Sequence, residues 1–504
     1  MEVINFVLAA SPIIVVLVGI LAFKKPAMKV APLALVWTIV LAFTWFNVQS
    51  MSFTQNVATV DALLWKGIKE GLKIVAMVFA AFVILNTLKA TGAIEDVKNT
   101  VAKISTDRRV QLVIVGMMVP IFLEGAAGAG APAAIAAPFL VALGFEPVTA
   151  IAVALLGDAT PCSWGGAGLT TISGGAALVN AGISTAAENS AMVGRIHMFG
   201  VLIIPFLIVA LTFGRKGFRG IIPYLLYAGV TTGGTMFFLS NFIGPEVTSM
   251  GTGFISILFS VLYVKVVPIR TPEEYRYEFP QGVKQKYSSV QALSPYLYML
   301  VLLPVIRYTV PLKILTTFGY IVWVDCVIFL CAVLGAVTLR VSRTEFKEVC
   351  RLTGRNMVPV LVTMGSLLVV SYIMQSAATG MMALIAQNIA AFAKVLYPAA
   401  AVLIGSMGSF ITGTGLGSNI MFAELHVSAA QSLGMNPVTV FAAQNAGASL
   451  GNLICPNNTV AACATVGEVG KEAKVMKKTL PAFGVLIAVY MVLSMIYTLV
   501  VFVV

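Results

Sequence analysis

Ten runs of roughly twenty apolar residues dominate the chain. They lie near 6–23, 30–48, 72–90, 190–213, 220–242, 247–265, 291–308, 316–339, 357–377 and 480–504. A helix rises about 1.5 Å per residue, so each run can cross the roughly 30 Å hydrocarbon core of a bilayer. In hydrocarbon every backbone N–H and C=O needs an internal partner, and runs of this length meet that need as α-helices. Composition agrees: 10% of residues are charged, where soluble domains carry about 25%, and the mean hydropathy is +0.96. The first run has no basic residue before it and no small-residue cleavage site, so it reads as a retained span rather than a signal peptide. The expected class is an all-α polytopic membrane protein.

The cations sit between these runs. Six basic loops hold most of the 32 Lys and Arg: Lys24–Lys29, Lys89–Arg109, Arg215–Arg219, Lys265–Lys286, Arg340–Arg355 and Lys471–Lys478. Positive-inside bias makes these loops cytoplasmic and puts both termini outside. Loops 178–190, 241–250 and 379–393 contain no Lys or Arg, as external loops should. Lys66, Lys69 and Lys73 are the exception, on a stretch this topology places outside. The net charge of +12 therefore marks topology and forms no face for nucleic acid. Six cysteines without a CxxC, and two histidines, complete no zinc set, so no metal or cofactor is expected. There is no GxSxG, no HExxH and no Walker lysine after EGAAGAG, and Gly157-Asp158 has no second aspartyl motif, all of which argues against an enzyme. A passive channel would need continuous polar-faced helices, which are absent.

Two stretches match at a nearly constant offset. Ala90-Thr91-Gly92 recurs at Ala378-Thr379-Gly380, and Phe122 and Gly125 recur at Phe410 and Gly413, all 288 positions on. LGFEPVT from Leu143 recurs as LGMNPVT from Leu433, 290 positions on. The first ATG is followed by a cation-rich flank and the second by a nearly uncharged one, so the copies should lie in opposite orientation. Inverted repeats with binding near the midplane are an architecture of secondary transporters.

Each copy contains interruptions. Arg109 to Leu123 is apolar but short, Glu124 to Gly130 breaks it, and Ala131 to Leu143 is a second short arm. At roughly 20 Å each, the arms suit a re-entrant hairpin. A helix from Val148 to Gly157 then breaks at DATPCSWGG. In the second copy Ala399 to Phe410 leads to the tip TGTGLGSN, Ile420 to Leu433 returns, and Val438 to Ser449 breaks at GNLICPNNT. Exposed backbone at membrane depth is tolerated where it lines a cavity, and half-helix N-termini suit a small anion. Close helix packing is the competing reading of the glycines, but it does not account for four breaks rich in hydroxyl and amide groups. The expected layout is a first repeat over 1–213 (hairpin 109–143, broken helix 147–178), a linking span pair over 214–290, and a second inverted repeat over 291–504 (hairpin 397–433, broken helix 437–467).

Taken together, Thr106-Asp-Arg-Arg109, FLEGAAGAGAP, the paired LGxxPVT turns, Met192-Val-Gly-Arg195, Ser240 to Glu246, Ser418-Asn419 and Gly467 to Lys471 resemble the L-lactate permease family, in order from about residue 60 onward. The resemblance implies import of lactate, or glycolate, with protons across a bacterial or archaeal inner membrane. It also implies hairpin domains that move against a scaffold in an elevator-like cycle. Three positions depart from the family: Ala129 stands where an aromatic is usual, Asp158 where an uncharged residue is usual, and the tip Gly413–Asn419 lacks an acid. The same fold carrying another small organic anion, or coupled to Na⁺, stays open, as does a homodimer.

Intramembrane carboxylates are costly unless functional or paired, which makes Asp158 and Glu124 the candidates for proton coupling. A structural hydrogen bond to hairpin amides is the alternative for Glu124. Candidate substrate contacts are Gly125, Gly128 and Gly130 at the first tip, Thr160, Ser163 and Gly165 at the first break, Arg195 just inside a span, Thr412, Thr414, Ser418 and Asn419 at the second tip, and Asn457 and Asn458 at the second break. Arg195 could instead neutralise an acid, and His197 packs. Glu424, His426 and Asp325 are weaker candidates, at a domain interface or within the scaffold.

Overall fold

The computed structural model describes residues 2–23, 25–46, 52–126, 128, 131–277, 285–315, 317, 320–355 and 357–502. Among these the chain is all-helical and no strand element occurs. Nine helices among the described residues are long and apolar enough to cross a membrane, which makes this a multi-pass membrane protein.

Helices α1 (Glu2–Leu17) and α2 (Ala27–Thr44) pack together ahead of α3 (Phe53–Thr91). A capping box between Ser52 and Gln55 starts α3 and left-handed Gly92 ends it. At 39 residues this one helix is about 58 Å long, nearly twice the hydrocarbon thickness. That length explains the misplaced cations: exposed Lys66 and Lys69 lie on the half that extends past the core, and the Lys66 ammonium sits 4.5 Å from the Tyr372 ring centre.

The short helices follow: α4 (Ala93–Ala102), α5 (Arg108–Val113), α6 (Val119–Ala126), α7 (Ala131–Ala142), α8 (Pro147–Gly157), α9 (Gly165–Gly174) and α10 (Ala176–Asn180). A π turn at Ile114–Met118 joins α5 to α6 without a break. The first arm is therefore a 19-residue run, Arg108–Ala126, longer than the expected 109–123 and close to the core thickness. Helix α11 (Ala186–Phe213) begins on a Thr185–Glu188 capping box, and α12 (Ile222–Phe238) and α13 (Pro245–Val266) follow it.

The second half runs through α14 (Ser289–Thr309), α15 (Leu312–Leu315), α16 (Tyr320–Thr338), amphipathic α17 (Arg343–Arg355) and α18 (Met357–Gln375). Then come α19 (Met381–Ala393), α20 (Tyr397–Thr412), α21 (Gly415–Ser432), α22 (Pro437–Gly451), α23 (Pro456–Thr465) and α24 (Glu472–Ile496).

Burial sorts these helices into two kinds. The run from Arg109 to Ala126 is buried, as are Thr439–Gly451 of α22 and all of α23. Long helices such as α12, α13 and α24 leave large apolar side chains exposed, among them Phe238, Phe254 and Val492, as lipid-facing surfaces do. The short helices cannot each satisfy a bilayer alone, and enclosing them in protein resolves this. Approach is close enough to require glycine: a Cβ on Gly125 would come 2.3 Å from the Met250 nitrogen on α13. The halves interleave as well, with α18 packed on both α2 and α3.

Candidate functional site: a cavity where four chain breaks meet

Each break has a local cause. Gly128, at φ +67°, turns the chain past α6 and its N–H bonds the Glu124 carbonyl at 2.9 Å. Helix α8 stops ahead of Pro161, which lacks an N–H to continue it. A 3₁₀ turn, Pro161–Trp164, then leads into three consecutive left-handed residues, Gly166, Ala167 and Gly168. Gly168, at φ +81°, lies under Pro245, where a Cβ would come 2.6 Å from the carbonyl carbon. At the second tip, left-handed Gly413 ends α20 and the Thr414 hydroxyl caps α21 by accepting from the Gly417 N–H at 3.0 Å. The Thr412 hydroxyl donates to the Thr414 carbonyl at 2.8 Å, which stiffens the turn. Helix α22 ends at Gly451 and α23 restarts at Pro456.

These breaks border a cavity of about 70 Å³. Glu124 and Gly128 supply one wall, Cys162, Gly165, Gly166, Leu169 and Thr170 another, and Thr414, Gly415, Leu416 and Asn452 the third. Glu124 is 1% exposed and Asp158 2%, and the two carboxyl groups hydrogen bond to each other. One Glu124 oxygen lies where a Gly165 Cβ would stand, 2.2 Å from it, while its Oε2 has no protein partner. Asn452 Nδ2 donates to the Cys162 sulfur at 2.6 Å and Asn452 Oδ1 accepts from Ser409 at 2.7 Å, so the two breaks are tied directly. The α21 N-terminus opens on the same space, bringing the positive end of a helix dipole. Glu124 on one wall, with Asp158 behind it, and a helix N-terminus on another make a setting that suits a small polar ligand.

Of the residues singled out from sequence, Glu124, Gly128, Gly165 and Thr414 line this cavity, with Asp158 immediately behind Glu124. Gly130 lies outside the described residues, as does Ala129. Gly125 packs on α13 instead. Ser163 hydrogen bonds to His197 Nε2 at 2.7 Å, whose Nδ1 meets Tyr490 at 2.7 Å. Thr160 is buried with its hydroxyl unpartnered. Thr412 braces the tip, Ser418 donates to the Gly405 carbonyl at 2.8 Å, and Asn419 reaches the Thr170 carbonyl at 3.4 Å. Asn457 lines a separate, mostly apolar pocket beside α1 and α18, and Asn458 is buried without lining the cavity.

Arg195 lies elsewhere. It borders a second cavity of about 210 Å³ with Glu188, Thr439 and Phe502, donates from Nε to Asn241 at 3.1 Å and stacks on Phe502. His426 sits between Tyr397 and Gln444, Glu424 is exposed, and Asp325 is buried on α16. Cys162, Thr170 and Asn452 escaped notice in the sequence. The one signal that could have found the first and last is their separation, 290 positions, which equals the offset between the LGxxPVT turns.

A multi-pass helical protein with a small cavity where interrupted helices meet has the build of a membrane transport protein. The sequence profile of the L-lactate permease family matches residues 5–327 and 300–504, and the chain belongs to that family. Glycolate permease GlcA of Escherichia coli (strain K12) is 26% identical over 526 residues, covering 94% of this chain and 91% of that protein. L-lactate permease of the same strain is 27% identical over 490 residues, covering 88% and 87%. Among solved structures, the Alcanivorax borkumensis YdaH transporter aligns over 93% of this chain and 98% of its own at 13% identity, with a TM-score of 0.38. That likeness is too loose to carry an argument. The relatives are permeases, so the chain is a transporter and not an enzyme.

Proposed function

We propose that this protein imports a short 2-hydroxy-monocarboxylate, lactate or glycolate, together with protons. The observation that carries this reading is the cavity with Glu124 on one wall and the α21 N-terminus on another. Its size accommodates about five waters, and so a molecule as small as lactate. The capped α21 N-terminus attracts the substrate carboxylate, and Thr170, Thr414 and Asn452 offer hydrogen bonds to its hydroxyl. Glu124 and Asp158 exchange the coupled proton.

The two halves act as inverted repeats, each with a re-entrant hairpin and a broken helix, joined through 214–290. Support comes from the matched sequence offsets and from Cys162 and Asn452, which sit 290 positions apart and touch. In this arrangement the buried short helices carry the cavity past the longer, lipid-facing helices in an elevator-like cycle. The protein resides in a bacterial or archaeal inner membrane with both termini outside. Uptake of labelled L-lactate and glycolate into proteoliposomes, under an imposed pH or Na⁺ gradient, tests this. Accumulation should follow the pH gradient; uptake that ignores protons and follows Na⁺ would refute the coupling.

A further inference from the structure

A hydrogen bond between two carboxyl groups requires a proton on one of them, because an ionised carboxylate only accepts. Glu124 and Asp158 make that bond at 1% and 2% exposure, and Glu124 alone lines the cavity. The singly protonated pair carries one negative charge. No Lys or Arg stands among the described residues of the cavity wall. The titratable group in electrostatic contact with the pair is the Cys162 thiol. Helices α7, α8 and α9, packed round it, contain no ionisable side chain. On α13, which packs against α6, Glu246 is exposed at the start, and Tyr263 and Lys265 lie toward the far end. A carboxylate substrate entering beside the singly charged pair meets like charge. At about 4 Å and an effective dielectric near 20, that weakens binding on the order of a thousandfold.

We infer that the Glu124–Asp158 pair holds one proton in the unloaded site and two in the loaded site, with Glu124 donating to the substrate carboxylate and Asp158 positioned behind it. This rests on the proposed function and specifies its coupling. The entering carboxylate brings one negative charge and one proton joins the pair, so the site carries the same charge loaded and unloaded. Inside, the proton leaves with the substrate and the singly protonated pair returns. One proton accompanies each carboxylate and transport is electroneutral. Either carboxyl can accept the second proton, so fixing one of them in its neutral form still leaves one exchangeable position.

The test uses the full chain in proteoliposomes with labelled L-lactate, a trapped pH dye, and valinomycin-set potassium potentials. Wild-type protein should take up one proton per lactate, with steady-state accumulation unchanged within about twofold by 100 mV of either sign. Glu124→Gln and Asp158→Asn should each slow transport, because both belong to the site, while the uptake that remains still carries one proton per lactate. The double variant, with both positions locked neutral, should exchange lactate without proton uptake and become electrogenic. Its lactate distribution should then shift about 50-fold per 100 mV, as expected for one unaccompanied charge. Failure of wild-type protein to take up lactate or glycolate would overturn the proposed function and this inference together. Wild-type uptake that is potential-driven, or a proton count of zero or two, would overturn the inference alone and needs no variant. Loss of coupling in either single variant that still exchanges lactate would do the same.

Discussion

The two tip-and-break pairs occupy matching places in the chain, yet their chemistry differs. The first holds both buried carboxyls; 288 positions after Glu124 stands Thr412, and 290 after Asp158 stands Ala448. The first break includes three left-handed residues, while the second passes from α22 to α23 through Asn452–Cys455 with none. The second side contributes the capped α21 N-terminus and the Asn452 amide. One side brings carboxyl groups and the other a helix N-terminus and an amide, and they face each other across one cavity. Similar frames need not carry similar chemistry.

The N-terminal ends of α5 and α20 differ in the same direction. Arg109, fully buried, pairs with Asp107 at 2.6 Å, donates to the carbonyls of Gly217 and Arg219, and stacks on Tyr275. At the matching position, 288 on, Tyr397 meets His426 Nδ1 at 2.8 Å; His426 Nε2 faces Gln444 Oε1 at 2.8 Å. Since Gln444 Oε1 only accepts, Nε2 carries the proton and Tyr397 donates to Nδ1. Arg109→Ala strands a buried carboxylate and should cost about 3–5 kcal/mol. Tyr397→Phe loses one neutral bond and should cost about 1 kcal/mol. Denaturation of the purified variants in detergent ranks them; equal losses would show that the ionic end is no firmer than the neutral one.

The tips should rank likewise. A Cβ at Gly128 would stand 2.8 Å from the Gly166 backbone nitrogen, whereas at Gly413 it would stand 2.8 Å from the Asn457 side-chain amide. Both positions are left-handed, which costs a residue with a Cβ about 1–2 kcal/mol. The backbone at Gly166 cannot swing aside, and overpacking adds about 1–2 kcal/mol more. Gly128→Ala should therefore cost about 3 kcal/mol and Gly413→Ala about half that. Reversal of that order would mean that the second tip is the tighter one.

Much of this organisation is legible in the sequence because the bilayer imposes a strict rule. A run of twenty apolar residues must be helical, and Pro161, Pro456 and the glycine clusters must interrupt it. Helix bounds at most long spans accordingly fall within a few residues of the apolar runs, but α3 begins at Phe53 and α24 at Glu472, well ahead of the runs at 72–90 and 480–504. Two features resist such a reading. The π turn at Ile114–Met118 leaves no mark in composition, so the first arm extends through Glu124 to Ala126. Arg195 is conspicuous as a lone cation near an apolar run, but the direction it faces depends on Asn241 and Phe502, which are remote in sequence. Cys162, Thr170 and Asn452 look like filler until the two breaks are brought together.

The bond across the breaks should weigh less than the tips. Asn452→Ala removes its contacts with Cys162 and Ser409, leaving the Ser409 hydroxyl buried without that acceptor. A loss of about 2 kcal/mol is expected. Cys162→Ser keeps a hydrogen-bonding atom in place and should cost less than half as much. If the two cost the same, the Asn452 side is not the anchor.

The smallest effect separates the caps of the two broken helices. Glu146 caps α8, accepting from the Val148 N–H at 3.2 Å and from the Thr149 N–H at 2.7 Å. Asn436, 290 positions on, caps α22 by accepting from the Val438 N–H at 2.9 Å. Burial opposes ionisation of Glu146, but hydrogen bonds from the Thr149 hydroxyl and amide and the Val148 amide, with Lys478 nearby, hold its carboxyl below the usual range. A carboxyl lowered on folding stabilises the fold fully above its unfolded value, near about pH 4.3, and that contribution is lost as pH falls through the folded value. The amide of Asn436 does not titrate. Hydrogen exchange, corrected for intrinsic rates, should show protection at Val148 and Thr149 falling a few-fold between pH 6 and pH 3, with Val438 unchanged. Glu146→Gln should remove the difference. Parallel loss at both caps would instead indicate global opening, and the first half would then lack the titratable cap that sets it apart from the second.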